Sequence, residues 1–305
     1  MIAILTEESS VFAASHLARA MKANLYVILP RYNDILDGGV NGIFWKDNNL
    51  ITAKNIIIIG YAALKKIASS IDCFETIAFI ASESTICRER KWVNNFLSRN
   101  KIVTYAMPDM IPFLGVEIIP AYQTMIINPI PRVNNNILTV AHSPRNGEKS
   151  KVKGTDYINE IVRGLKMKHQ FNYIFIKNYP HKECLKLKAQ SDIFIDQLIY
   201  GNPDVPQQRW GEEITYEGGL GKSGIEAMLL GCCVITGGRK PDTERYFPPP
   251  PIIWTDYDNF KDHLDALIKD KDLISLCKRG QQKWAETYLN PEFVSHHITR
   301  HIWER

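Results

Sequence analysis

Short apolar runs alternate along this chain with longer stretches in which apolar residues recur every three or four positions. Ile2 to Leu5, Leu25 to Leu29, Asn55 to Ile59, Thr76 to Ile80 and Ile102 to Tyr105 have strand length. Val11 to Lys22 and Glu89 to Leu97 carry the helical period. Strands covered on both faces read as continuous apolar runs, so this alternation predicts a parallel sheet with crossover helices. Asn128-Pro-Ile-Pro-Arg-Val-Asn-Asn-Asn136 breaks the pattern with two prolines and three consecutive asparagines and predicts a linker. A second series follows, with strands at Ile137 to Ala141, Tyr173 to Ile176, Ile193 to Ile195 and Cys232 to Thr236. Helices are predicted at Asp156 to Leu165, Glu183 to Lys188, Gly224 to Leu230, Phe260 to Ile268, Leu273 to Tyr288 and Glu292 to Trp303. Two α/β series of similar size predict two Rossmann-like domains facing across a cleft, residues 1–133 and 134–290, with a final helix at 291–305. Ligands are expected beyond the carboxyl ends of the strands.

Composition narrows the function classes. With 305 residues, 45% hydrophobic and 23% charged, the chain can build ordinary cores without disulfide staples. Six cysteines (Cys73, Cys87, Cys184, Cys232, Cys233 and Cys277) include no C-x-x-C pair and have no histidine cluster beside them. That speaks against structural zinc and for reduced, buried thiols. Net charge is +4, a weak excess that permits an anionic ligand. Met1 to Leu5 is too short for the apolar region of a signal peptide, and no run of ~20 apolar residues occurs. A cytoplasmic protein is expected.

Two segments carry candidate chemistry. In Thr139-Val-Ala-His-Ser-Pro-Arg-Asn-Gly-Glu-Lys-Ser-Lys-Val-Lys-Gly-Thr-Asp156 a strand ends, a polar loop follows, and a helix starts with Thr155 or Asp156 as cap. Lys153 then stands at the positive end of a helix, which suits a phosphate, and Arg145, Lys149 and Lys151 add charge to the same loop. The plain alternative is a solvated basic loop. In Glu217-Gly-Gly-Leu-Gly-Lys-Ser-Gly-Ile-Glu226 four glycines within seven residues let backbone approach a ligand closely and then open a helix. Glu226, placed in about the first turn, can accept hydrogen bonds from a ribose diol. The plain alternative here is a glycine-rich turn with a dipole-stabilising glutamate. Gly221-Lys222-Ser223 also ends like a P-loop, but Tyr216 occupies the place of that motif's first glycine.

Ala141-His-Ser-Pro144, Lys153-Gly-Thr-Asp156, Ser191-Asp-Ile-Phe-Ile-Asp-Gln-Leu198 and Ser223-Gly-Ile-Glu-Ala-Met-Leu-Leu-Gly-Cys-Cys-Val-Ile235 occur in that order. Together they resemble the donor domain of GT-B glycosyltransferases, in particular the large retaining family 4, over roughly residues 137 to 290. The resemblance implies an α/β fold of two Rossmann-like domains and a retaining hexosyltransferase using a UDP- or GDP-linked sugar. It implies that Glu226 binds the donor ribose and that Lys153 and Arg145 neutralise the diphosphate. Ser143 and the segment Gly221, Lys222, Ser223 and Gly224 would complete the donor site. It further implies no metal and no cofactor beyond the nucleotide-sugar co-substrate. Two departures stand out. Gly218 occupies the place of the family's second acidic residue, with Glu217 beside it. The polar, aromatic stretch Gly201 to Tyr216 is longer than the usual connection.

Residues 1–133 are expected to bind the acceptor, a glycan or a hydroxylated base in DNA. His16 is a candidate for proton transfer there, and Ser9, Ser10 and Ser82 to Thr85 follow strands that could face the cleft. A rival class is a non-catalytic module that binds nucleotide sugar or nucleic acid, to which the basic and aromatic stretch Lys166 to Lys177 would contribute.

Overall fold

A computed structural model describes residues 2–7, 11–28, 42–44, 54–81, 89–100, 102–108, 111, 114–122, 125–133, 137–144, 153–198 and 219–303. Contacts divide the chain into unit 1, Met1–Ile126 with Tyr288–Arg305, and unit 2, Ile127–Thr287. Both are parallel α/β sheets of Rossmann type, as the alternating pattern predicts.

Among its described residues unit 1 has seven strands: β1 (Ile2–Glu7), β2 (Asn24–Ile28), β3 (Gly42–Phe44), β4 (Asn55–Ile59), β5 (Thr76–Ala81), β6 (Ile102–Ala106) and β7 (Ile118–Pro120). Their order is β3-β2-β1-β4-β5-β6-β7, so the chain winds outward from β1 on one side and returns to wind the other way from β4. Ile56, Ile57, Ile58 and Ile59 are all buried, which explains why β4 reads as an unbroken apolar run. Helices α1 (Val11–Ala20), α2 (Tyr61–Ile67) and α3 (Arg90–Arg99) lie between strands. The three-residue strands β3 and β7 and the helix α2 escaped the sequence reading, because segments so short carry too few positions to display a period.

Among its described residues unit 2 has five strands: β8 (Thr139–His142), β9 (Asn172–Phe175), β10 (Ile193–Leu198), β11 (Cys233–Gly237) and β12 (Ile253–Thr255). The order is β12-β11-β10-β8-β9. The described helices that accompany them are α4 (Thr155–Lys166), α5 (His181–Ala189), α6 (Lys222–Leu229), α7 (Phe260–Lys269) and α8 (Lys271–Tyr288). Helix α4 buries Ile158, Val162 and Leu165, a stripe spaced four and three apart, in a core with Val140, Ile193, Ile195 and Ile235. Helix α6 ends where Gly231 was expected to stop it. The Gly231 amide bonds to Met228 O and the Cys232 amide to Ala227 O, the paired bonds of a Schellman cap. Buried Gln281 of α8 clasps β11, its amide accepting from Val234 N at 2.7 Å and donating to Val234 O at 3.3 Å.

The terminal helix α9 (Pro291–Trp303), which the sequence sets apart, packs within unit 1. The Tyr105 hydroxyl donates to Ile298 O at 2.8 Å. His297 Nε2 lies 3.0 Å from Pro120 O, and since a carbonyl only accepts, that nitrogen carries the proton.

Candidate functional site

In unit 2 the connections leave β8 in opposite directions: β8 leads to β9 on one side, and the chain then crosses to β10 on the other. The carboxyl ends of β8 and β10 therefore flank the switch point, where open α/β sheets bind ligands. Helix α4 starts after β8 and helix α6 after β10. Neither helix start has a side-chain cap bond, and a helix start is where backbone amides and the helix dipole favour an anion.

The start of α4 differs from the expected capping. Gly154 is the N-cap, in left-handed conformation with φ 68°, a backbone that any other residue would adopt with strain. Thr155 is the first helical residue, and its hydroxyl turns inward to His142 Nε2 at 3.0 Å. His142 Nδ1 lies 2.8 Å from Ile195 O. A carbonyl cannot donate, so Nδ1 holds the proton and Nε2 accepts from Thr155. Burial, with Lys153 nearby, pushes the His142 pKa down to about 3, so the ring is neutral and works as a strut between β8, β10 and α4.

Lys153 precedes that helix as the sequence predicts, and the structure fixes it at both ends. Its carbonyl accepts the Leu198 amide at 2.9 Å. Its ammonium donates to Ser143 O at 3.1 Å and stands 3.6 Å from Asp196 Oδ1. Asp196 is completely buried inside β10, and its Oδ2 accepts the Gly221 amide at 2.7 Å. The next residue, Gln197, donates its amide to Gly219 O, which also accepts the Thr236 hydroxyl at 3.1 Å. Together these bonds hold the last turn of chain before α6. Gly224 then packs so closely that an added Cβ would come within 2.7 Å of Leu220 and 3.0 Å of Asp196, so α6 rests directly on that carboxylate.

Glu226 is the fifth residue of α6 and so begins its second turn rather than lying in the first. Its carboxylate bonds Lys188 through Oε2 and His181 Nε2 through Oε1, the latter at 2.8 Å. Burial raises the Glu226 pKa, but the bond from His181 and the Lys188 charge outweigh it, and the net shift is downward. Lys188 is itself buried, with its ammonium 5.2 Å from the Phe194 ring centroid. His181 stands exposed at the start of α5, and its bond to Glu226 raises its pKa.

The structure thus brings Ser143, Lys153, Gly221, Lys222, Ser223 and Gly224 to the two helix starts at one switch point, with Glu226 a turn further along α6. Sequence reasoning missed Asp196, Gln197, Lys188 and His181 as members of this constellation. The available signal was Asp196-Gln197 interrupting an apolar strand, where any charge is buried on both sheet faces. Arg145, Glu217, Lys149, Lys151, Gly201 to Tyr216, Ser9, Ser10 and Ser82 to Thr85 lie outside the described residues. His16 lies in unit 1, in the second turn of α1, where burial and Arg19 lower its pKa. Among the described residues no group of three or more His, Cys, Asp or Glu side chains is placed to hold a metal ion. No described helix is long and apolar enough to cross a membrane.

No family model matches the chain, and no curated protein matches it in sequence. Solved structures do match in fold. HepE from Anabaena, solved with UDP and glucose, superimposes with a TM-score of 0.68 at 11% identity, covering 100% of both chains. An alpha-glucosyltransferase, in complex with UDP-glucose and DNA containing an abasic site, gives 0.59 at 10% identity over 99% of this chain and 98% of its own. Sucrose-phosphate synthase from Thermosynechococcus elongatus gives 0.58 at 9% identity over 98% and 97%. These are GT-B glycosyltransferases, and the two Rossmann-like units have the GT-B fold. At such identities the likeness is one of fold.

Proposed function

We propose that the protein is a glycosyltransferase that moves a sugar from a UDP- or GDP-linked donor to an acceptor, with retention at the anomeric carbon. The observation that carries this reading is the convergence at one switch point of two helix starts and Lys153, beside a carboxylate, Glu226, whose pKa is lowered by the bond from His181 and the Lys188 charge. Helix amides and a fixed ammonium suit the two phosphates of a nucleoside diphosphate. The Glu226 carboxylate has lone pairs beyond those given to Lys188 and His181, and these suit a ribose diol. The structures of like fold with bound UDP or UDP-glucose support the donor class.

In the transfer, the bond from the anomeric carbon to the diphosphate breaks and charge grows on the departing group. Lys153, Arg145 and the amides at the start of α6 stabilise that charge, and such preorganised donors act where charge develops. Because these groups take that electrostatic role, turnover is expected to survive a chelator. Glu217 is proposed to face the donor sugar. The acceptor is a glycan or a hydroxylated base in DNA, and the DNA-bound structure of like fold supports carrying the second.

A thermal-shift panel of nucleoside diphosphates and their sugar conjugates tests the donor. A ligand at 100 times its dissociation constant should stabilise by about 2.7 kcal/mol. The reading fails if no nucleotide shifts the transition while DNA binds with steep salt dependence, which would make the chain a nucleic-acid module.

A further inference from the structure

Asp196, Gln197 and Leu198 are consecutive residues at the end of β10, and each holds a different part of the site. Leu198 fixes the main chain of Lys153, and Gln197 fixes Gly219. Asp196 does two things at once. Its Oδ2 takes the Gly221 amide at 2.7 Å, and its Oδ1, which has no hydrogen-bond partner, faces the Lys153 ammonium at 3.6 Å. A carboxylate with no exposed surface is costly to bury unless it is paired. Its placement in a strand that otherwise buries Ile193, Phe194, Ile195 and Leu198 calls for a purpose beyond packing.

We infer that Asp196 is a positioning residue for diphosphate binding: it sets the Lys153 ammonium and the start of α6 in one geometry, so that cation and helix amides meet the same anion. This rests on the donor reading above. Asp196 lies beneath both elements, so it acts through them. A rival effect would have the opposite sign. If Asp196 only offset the charge of Lys153, removing its own charge would strengthen the pull on an anion. Positioning predicts weaker binding, because an ammonium without its buried partner leaves the geometry that the site requires.

The test compares UDP with uridine, and GDP with guanosine, by calorimetric titration of the full chain and of Asp196→Asn. Asparagine keeps an acceptor for Gly221 and removes the charge facing Lys153. Diphosphate affinity is expected to fall about tenfold, the order seen when the group orienting a ligand is removed, while nucleoside affinity stays level. Combining Asp196→Asn with Lys153→Met should lose no more than Lys153→Met alone, since the two residues act as one unit. If Asp196→Asn does not fold, Gly221→Ala places a Cβ 3.0 Å from Asp196 Oδ2 and should show the same selective loss. Unchanged or tighter diphosphate binding, equal losses for nucleoside and diphosphate, or additive losses in the double variant would each overturn the assignment. A wild-type chain that binds neither diphosphate overturns the donor reading as well, whereas a binding wild type with an indifferent variant overturns this inference alone.

Discussion

Around the switch point of unit 1, β1 and β4 bury Ala3, Ile4, Leu5 and Ile56 to Ile59, and the buried polar side chains among the described residues of that unit are Thr6, Thr104 and His297. Around the switch point of unit 2, β8 and β10 bury His142, Asp196 and Gln197, with Thr155 and Lys188 on the adjoining helices. The two sheets follow the same winding rule, so topology does not explain the difference. Burying polar groups costs stability unless every one is paired, and unit 2 pairs them around the starts of α4 and α6. Unit 1 shows what such a sheet needs to fold. Unit 2 shows the buried polar groups that the proposed anion site adds at one end of such a sheet.

Breaking the polar constellation should have the largest effect. Lys153→Ala removes the counter-ion of Asp196 and, in the proposed reaction, a donor to the leaving diphosphate. Turnover at saturating donor is expected to fall ~10²–10³-fold. Unfolding in urea should report a loss of about 3–5 kcal/mol, the scale for stripping a partner from a buried charge. Lys149→Ala, farther back in the sequence from the start of α4, should cost less than about tenfold, the scale of a charge that is not part of the paired constellation. Equal effects at the two lysines would erase the distinction drawn for Lys153.

Glu226 comes next. Removing its side chain would strand buried Lys188, so Glu226→Gln is the cleaner change. A hydrogen bond to a charged group contributes about 1.5–3 kcal/mol, so donor affinity should drop roughly 10–100-fold in a folded protein. Calorimetry showing full affinity would take Glu226 out of the ribose site.

An effect of a different kind, on stability and confined to acid, is expected from His142. Unfolded, it takes a proton near pH 6.5; folded, it resists until about pH 3. Between those values the unfolded chain binds more protons, so this contribution to stability is present above pH 6.5 and is lost as pH falls. The slope should approach about 1.4 kcal/mol per pH unit for the one proton. Denaturant unfolding from pH 7 to pH 4 should show it, and His142→Gln should flatten it. A variant with the wild-type slope would assign the acid sensitivity elsewhere.

The smallest effect is expected in unit 1, at His16. Loss of a general acid or base costs ~10²–10⁴-fold in rate. In a histidine of the second turn of α1, where burial and Arg19 lower the pKa, His16→Ala should change turnover by less than about threefold. A loss of a hundredfold would move proton transfer into unit 1 and blur the contrast between the units.

Much of the fold was legible because its signals are local. The isoleucine run of β4, the α4 stripe and Gly231 after α6 each announce themselves within a dozen residues. So did Lys153 beside a helix start and Glu226 beyond a glycine-rich loop. Misread details were those decided by one bond. Thr155 or Asp156 was expected to cap α4, yet both lie inside the helix, His142 draws the Thr155 hydroxyl inward, and the cap is Gly154. Glu226 slipped to the second turn because α6 begins at Lys222, once Asp196 and Gln197 have fixed the chain ahead of it.

By itself, then, the sequence determined two parallel α/β units, the order of their strands in the chain, and a basic and a glycine-rich segment at strand ends. Hydrophobic period and backbone freedom depend on near neighbours, and near neighbours are written in sequence. Tertiary structure alone decided which charges meet. Lys153 lies 43 positions from Asp196, and Lys188 lies 38 from Glu226; winding β10 beside β8 joins the first pair, and packing α5 against α6 joins the second. Coulomb attraction and desolvation act through space, so the pairing of these four residues appeared only when the sheet was assembled.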